Sequence, residues 1–135
     1  KDPSSIASQF IVQAMEFGMI ELLLGYKKDP SFGPIVVLGM GGVLAEIYCD
    51  RSVRLAPVGL DSAYEMIAEV KSLASIQGYR GAEHGDIDML AETIVKMSLL
   101  SNVSEITEAE INPLIVKSDG QGVVAVDGLI FRNRT

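Results

Sequence analysis

The sequence lacks the residues that several common kinds of site require. It has one cysteine, one histidine and no tryptophan, so an intrachain disulfide is impossible and a zinc site of clustered Cys and His is excluded. No apolar run reaches the roughly 18 residues that a membrane helix needs, because Glu21 and Gly25 interrupt the densest stretch. These absences favour a protein of the reducing cytoplasm that does not bind a membrane.

Basic residues are also scarce. The sequence has 11 Lys and Arg against 18 Asp and Glu, which gives a net charge of −7. Such a charge repels a phosphate backbone, so nucleic acid is excluded as a partner. A free nucleotide is anionic too. A domain of this charge that binds a nucleotide therefore needs metal ions and local basic groups to supply positive charge.

Hydrophobic residues, by contrast, make up 48% of the chain, which is enough to build a core that offsets the entropy cost of folding. A length of 135 residues suits one domain, and we expect residues 1–135 to fold as a single unit. The chain starts at Lys1 without an initiator Met or a signal-like apolar core. This start favours an excised piece of a longer protein.

The first third of the chain is predicted to be β-rich. Strands are predicted from short apolar runs at 9–14, 20–26, 35–38 and 43–48. The segment 28–34 is dense in Pro, Gly, Asp and Ser, and it predicts a turn between the second and third of these strands.

Helical periodicity begins after this region. Apolar residues at helical spacing predict a helix over 61–76, in which Ser62 and Glu65 form a capping box. A second helix is predicted to begin near Asp86, a favourable N-cap residue. Strands return at 106–116 and 123–127. The order of strands, helices and strands predicts an α/β (α+β) fold, with a mainly antiparallel sheet and two principal helices on one face.

A tight hairpin between the last two predicted strands determines which residues face each other. Asp119-Gly120 is among the strongest short signals for a two-residue hairpin loop. With that loop, Leu114 pairs with Ala125 and Asn112 lies directly opposite Asp127. Directly opposed residues have Cβ atoms about 4.5–5.5 Å apart on one face of the sheet.

These residues form a candidate metal site. Glu110 lies two residues before Asn112 and is expected on the same face, flanked by Leu114 and Val116. Magnesium suits such oxygen-bearing side chains, because it takes one or two protein ligands, keeps several waters and is shared with substrate phosphates. Alternatively, Asn112 and Asp127 are solvated or turn-capping groups at a strand end, since a slip of one residue in register would separate them.

The segment Glu110-Ile111-Asn112-Pro113-Leu114, followed by a hairpin that ends in Asp127, resembles the metal-binding segment of succinyl-CoA synthetase β subunits. The resemblance implies that Asn112 and Asp127 coordinate magnesium. It also implies that Glu110 helps to position the histidine that is transiently phosphorylated in that family.

From about Phe10 onwards, almost the whole chain is similar to the β-type domain of ADP-forming acetate-CoA ligases, the C-terminal half of an ATP-grasp domain. The similarity rests on the order of short segments at 10–15, 21–22, 29–34, 39–42, 46–50, 54–57 and 78–81. It implies that Gln13 lies on the strand of the adenine hinge and that Glu21 contacts the nucleotide. Glu16 occupies a third position that the resemblance implies contacts the nucleotide.

Together these resemblances imply part of an enzyme that interconverts acyl-CoA, ADP and phosphate with a carboxylic acid, CoA and ATP through a phosphohistidine. The expected cofactors are ATP or ADP and magnesium. The expected partners are the other half of the ATP-grasp domain and the CoA-binding domains or subunit with the phosphohistidine. Two alternatives are a degenerate nucleotide- or acyl-CoA-sensing module fused to a protein-lysine acetyltransferase, and an interaction domain without a site.

Overall fold

The computed structural model describes residues 10–42 and 49–133, and an antiparallel sheet of six strands is its main feature. The strands are β1 (Ile20–Asp29), β2 (Gly33–Met40), β3 (Arg51–Leu55), β4 (Ile106–Val116), β5 (Val123–Ala125) and β6 (Gly128–Arg132). They lie in the order β3-β2-β1-β4-β5, and β6 also pairs with β4. Helices α1 (Leu60–Glu69) and α2 (Ile87–Ser98) pack on one face of this sheet, so the predicted fold class is confirmed.

Strands β1 and β2 form a hairpin in which alternate residues build the core. The buried side chains on the face that packs against the helices are Leu22, Leu24, Tyr26, Val36 and Leu38. Successive side chains of a strand point to opposite faces, so Leu23, Gly25, Val37 and Gly39 lie on the other side. We call this side, turned away from α1 and α2, the open face of the sheet.

The turn between β1 and β2 is the one predicted over 28–34. The carboxylate of Asp29 accepts hydrogen bonds from the N–H groups of Ser31 and Phe32, at 2.8 and 3.0 Å. This local bonding is the usual reason that Asp begins a turn. The strand predicted over 43–48 lies outside the described residues.

The strand predicted over 9–14 is not formed in the part that the structure describes. Residues 10–18 are irregular, and Phe10, Ile11 and Val12 are 85%, 91% and 95% exposed. A strand needs a neighbour to satisfy its N–H and C=O groups. Strand β1, which follows this segment, is already paired with β2 on one side and with β4 on the other.

The start of α1 differs from the prediction. Gly59 is the N-cap residue, and no side chain caps the helix. Ser62 and Glu65 lie within α1, so the predicted capping box is wrong. The helix forms because its apolar residues at spacings of three and four form one buried stripe, which consists of Ala63, Met66 and Ile67.

The segment 61–76, which was predicted as one helix, forms two separate elements. Helix α1 ends at Glu69, and a separate 3-10 helix occupies Lys71–Ile76. The carboxylate of Asp50 accepts hydrogen bonds from the N–H groups of Lys71 and Ser72, at 2.9 and 2.7 Å. Those N–H groups are therefore taken by a distant side chain, and a new helical turn starts at Lys71.

Helix α2 begins as predicted. Asp86 is its N-cap residue, and its carboxylate accepts a hydrogen bond from the N–H of Met89 at 3.1 Å. The apolar residues of its buried stripe are Leu90, Ala91, Ile94 and Met97. Within residues 10–42 and 49–133, no helix combines the length and the apolar character that crossing a membrane requires.

Candidate functional site

The hairpin that joins β4 to β5 has the predicted two-residue loop. The N–H of Gln121 donates a hydrogen bond to the C=O of Ser118 at 2.9 Å. Gly120, inside the loop, has a φ of +75°, a value that glycine adopts without steric cost. Strand β5 then pairs with β4 in the predicted register.

This register places Asn112 opposite Asp127, as predicted. The N–H of Asn112 donates to the C=O of Asp127 at 3.2 Å. The strand predicted over 123–127 is shorter than expected, because β5 ends at Ala125. Strand β6, which the sequence pattern did not predict, resumes the pairing with β4 from Gly128 onwards.

The predicted metal pair and the predicted positioning carboxylate come together at this point. Glu110, Asn112 and Asp127 line one shallow cleft, with Gly128 and Leu129 completing its walls. Glu110 and Asn112 are half-buried, whereas Asp127 is exposed. The cleft is therefore open to a ligand on the side of Asp127.

A β-bulge in β4 shapes this cleft. Leu22 of β1 lies opposite Leu114, but Leu24 lies opposite Ile111, so one residue of β1 faces the two residues Asn112-Pro113. Proline has no N–H for the ladder and is accommodated at bulges. A bulge changes the direction of the side chains that follow it, and bulges are frequent beside functional sites.

The bulge corrects one prediction. Leu114 and Val116 were expected to flank the metal pair on the same face, but both belong to the core under the helices. Upstream of the bulge, Ala109 and Ile111 face the core instead. Glu110 therefore lies on the open face, opposite to the face of Leu114 and Val116.

The donor set fits a partly hydrated magnesium ion. The Oδ1 atom of Asp127 accepts a hydrogen bond from the N–H of Gly128 at 2.8 Å, which restrains the carboxylate. Within the part of the chain that the structure describes, no three His, Cys, Asp or Glu side chains are grouped to hold a metal. An ion at Asn112 and Asp127 would have two protein ligands there and room for water and phosphate oxygens, the kind of set that magnesium commonly takes.

The open face carries a groove beside this cleft. Its lining residues are Leu23, Val37, Gly39, Met40, Cys49, Asp50 and Arg51. Burial raises the pKa of the Asp50 carboxyl. Hydrogen bonds from the N–H groups of Ser72 and Lys71 together lower it by more, so the pKa of Asp50 lies below its usual value. Asp50 is thus a fixed anion that caps a helical turn.

The three residues predicted to contact a nucleotide are in different settings. Glu21 is exposed on β1, and because it precedes the buried Leu22 it lies on the open face. Gln13 is exposed in the irregular segment 10–18. Glu16 forms an ion pair with Lys117, with 2.8 Å between its Oε2 and the Nζ of Lys117. Glu16 therefore has a partner within the protein.

Sequence reasoning missed Lys117, because its partner is distant in the chain and a lysine after a strand carries no specific signal. It identified Asp86 as a helix cap but missed the second bond of that carboxylate. The Oδ2 atom of Asp86 accepts a hydrogen bond from the N–H of Gly122 at 2.7 Å, which attaches the hairpin tip to α2.

Comparison with known proteins agrees with this architecture. Residues 1–131 match the ATP-grasp domain family. The chain is 40% identical over 123 residues to the acetate-CoA ligase (ADP-forming) I of Archaeoglobus fulgidus, covering 90% of the chain and 18% of that protein. It is 41% identical over 108 residues to the β subunit of acetate-CoA ligase (ADP-forming) I of Pyrococcus furiosus, covering 79% of the chain and 46% of that subunit.

A solved structure shows the same fold. The acetyl-coenzyme A synthetase 1 of Candidatus Korarchaeum cryptofilum was solved with coenzyme A and Mg-AMPPCP, with its phosphohistidine segment pointing towards the nucleotide-binding site. The TM-score is 0.80 at 35% identity, over 88% of this chain and 55% of that one. The present chain thus spans about half of that chain and less than a fifth of the longer ligase. With a family match that covers nearly its whole length, the chain belongs to the ATP-grasp domain family.

Proposed function

We propose that this chain is the part of an ADP-forming acyl-CoA synthetase that binds the nucleotide and its magnesium. The complete enzyme would convert a carboxylic acid, CoA and ATP into acyl-CoA, ADP and phosphate. The observation that carries the proposal is the pairing of Asn112 with Asp127 across the β4–β6 register, beside a groove on the open face. The ligase and synthetase names of the relatives support this enzyme over an acetyltransferase fusion or an interaction domain.

Asn112 and Asp127 would hold the magnesium of the bound nucleotide. An ion bound there would supply positive charge to balance the phosphates in a protein whose net charge is −7. Glu21, on the open face, would accept hydrogen bonds from the ribose hydroxyls, and the backbone around Gln13 would pair with the adenine edge. Glu16 would act beside this hinge.

Glu110 would position the phosphorylated histidine that another part of the enzyme supplies. Its place on the open face next to Asn112 supports this role, because a carboxylate there can accept a hydrogen bond from an imidazole that approaches the metal-bound nucleotide. The other half of the ATP-grasp domain and the CoA-binding domains or subunit would complete the enzyme. We place that enzyme in the cytoplasm.

Asp127→Asn in the complete enzyme tests the metal site. Loss of the charged ligand should weaken magnesium-dependent ADP binding by about tenfold or more, measured by calorimetry at several magnesium concentrations. Asp119→Asn is the matched control, because it removes the same charge from the hairpin loop and Asn-Gly keeps the turn. Equal affinities in wild type and Asp127→Asn would refute the metal site.

Glu110→Gln tests whether Glu110 positions the phosphohistidine or binds the metal. The substitution keeps the size of the side chain and loses its charge, so phosphate transfer to or from the histidine should slow while the affinity for Mg-ADP stays close to that of the wild type. Rapid-quench measurement of phosphoenzyme formation and calorimetry of Mg-ADP provide the two values. A collapse of metal affinity would instead make Glu110 a ligand and contradict its role in positioning the histidine.

A further inference from the structure

The segment before β1 is attached to the sheet at one short stretch. Phe10, Ile11, Val12 and Met15 are each at least 80% exposed. The side chain of Glu16, in contrast, is 32% exposed, and it makes the ion pair with Lys117 across 101 residues of sequence. Attachment of residues 10–18 thus begins at Glu16.

Two backbone features fix the chain directly after this ion pair. The N–H of Met19 donates to the C=O of Val116 at 2.8 Å. A Cβ atom at Gly18 would lie 2.3 Å from the side chain of Ile115 and 2.6 Å from the C=O of Val116, so only glycine permits this approach. The segment therefore crosses the end of β4 at close range.

Lys117 itself has little freedom to move. Its C=O accepts a hydrogen bond from the N–H of Asp86 at 2.9 Å, and its N–H donates to the C=O of Gly122 at 3.1 Å. Its side chain is 25% exposed. Because the backbone of Lys117 is bonded to the start of α2 and to the hairpin tip, its side chain reaches Glu16 from an anchored part of the fold.

From this geometry we infer that Lys117 is a positioning residue, which fixes Glu16 and thereby sets the hinge segment around Gln13 relative to the open face. The inference rests on the proposed function, because it assumes that the nucleotide binds between this segment and that face. Glu16 then contributes through Lys117 and not by touching the nucleotide. Loss of the pair should weaken nucleotide binding and leave the metal ligands unchanged.

Lys117→Met in the complete protein is the first test, with Mg-ADP as the probe. An ion pair of this exposure contributes about 1 kcal/mol at most, so the Kd for Mg-ADP should rise measurably, by up to about fivefold, with a matching rise in the KM for ATP and little change in kcat. Amide hydrogen exchange of residues 10–18 should also become faster. Lys96→Met is the control, because it breaks an exposed pair with Glu92 on α2.

The charge-reversed pair Glu16→Lys with Lys117→Glu distinguishes positioning from direct contact. Each single reversal should weaken Mg-ADP binding, and the double reversal should restore most of the affinity, because the pair re-forms with opposite polarity. Failure of the double variant to recover the affinity would overturn the inference in favour of direct contact by Glu16.

Three variants together distinguish a wrong role for Lys117 from a wrong nucleotide site. Unchanged affinity in Lys117→Met, with weakened binding in Glu21→Ala and Asp127→Asn, would refute the role of Lys117 and leave the nucleotide site standing. Unchanged affinity in all three variants would refute both the site and the inference.

Discussion

Asp86 is 4% exposed, and its carboxylate accepts hydrogen bonds from two elements that are far apart in the sequence. Oδ1 caps α2 through the N–H of Met89, and Oδ2 binds the N–H of Gly122 at the hairpin tip. Asp86→Ala removes both bonds and leaves two N–H groups without their partner. An N-cap is worth about 1 kcal/mol and a hydrogen bond to a charged group about 1.5–3 kcal/mol.

The free energy of unfolding of Asp86→Ala should therefore fall by about 2–4 kcal/mol in urea titrations. Asp61→Ala is the control, because Asp61 is an exposed acidic residue in the first turn of α1. Its substitution should change the free energy by about 0.5 kcal/mol or less. A similar small change in Asp86→Ala would show that the hairpin tip is held by other contacts.

At the scale of elements, a charged network joins α1 to strand β3. Glu69 accepts hydrogen bonds from the guanidinium of Arg54 and, at 2.6 Å, from the hydroxyl of Ser52. The bonds from Arg54, followed by the bond from Ser52, lower the pKa of Glu69 and outweigh the opposite effect of burial. Glu65 is 3.8 Å from the same guanidinium and 67% exposed.

A carboxylate with a lowered pKa stabilises the fold above its unfolded pKa, about 4.3 for Glu, and the contribution is lost as pH falls through the folded value. Urea unfolding of the wild type at pH 6 and pH 3 should therefore show a larger loss of stability than the same measurement on Glu69→Gln. Glu65→Gln should keep the wild-type loss. Identical pH dependence in wild type and Glu69→Gln would mean that the network does not contribute in solution.

At the scale of the whole molecule, apolar side chains lie where this chain alone does not cover them. Phe10, Ile11 and Val12 are almost fully exposed, and β6 exposes Leu129 and Phe131 at 55% and 50%. Contiguous exposed apolar surface usually marks an interface. The chain covers 46% of the P. furiosus β subunit and 55% of the K. cryptofilum chain, so both relatives have residues beyond the part that it matches.

Substitution of Phe10, Ile11 and Val12 by Ser tests whether this segment is covered in the complete protein. In the isolated chain it should leave the free energy of unfolding within about 0.5 kcal/mol, because exposed side chains contribute little, and it should reduce binding of a hydrophobic dye. In the complete protein the same change should lower thermal stability. Equal thermal stability of variant and wild type in the complete protein would show that this segment is exposed there as well.

Local features of the molecule follow from the amino-acid sequence alone. Asp86 caps a helix because its carboxylate reaches the N–H of a residue three positions later, and Asp119-Gly120 makes a two-residue loop because Gly120 tolerates a positive φ. Because a two-residue loop leaves one register, the pairing of Asn112 with Asp127 followed from the loop. The resemblance of the same segment to a metal-binding motif identified the same two residues.

Features that depend on distant partners required the tertiary structure. The bulge at Asn112-Pro113 reversed the faces of β4 because β1 pairs across it. The break after Glu69 depends on Asp50 reaching the N–H groups of Lys71 and Ser72. The segment 10–18 has strand-like composition but forms no strand, because hydrogen bonds in a sheet require a neighbouring strand, and no property of the segment itself can supply one.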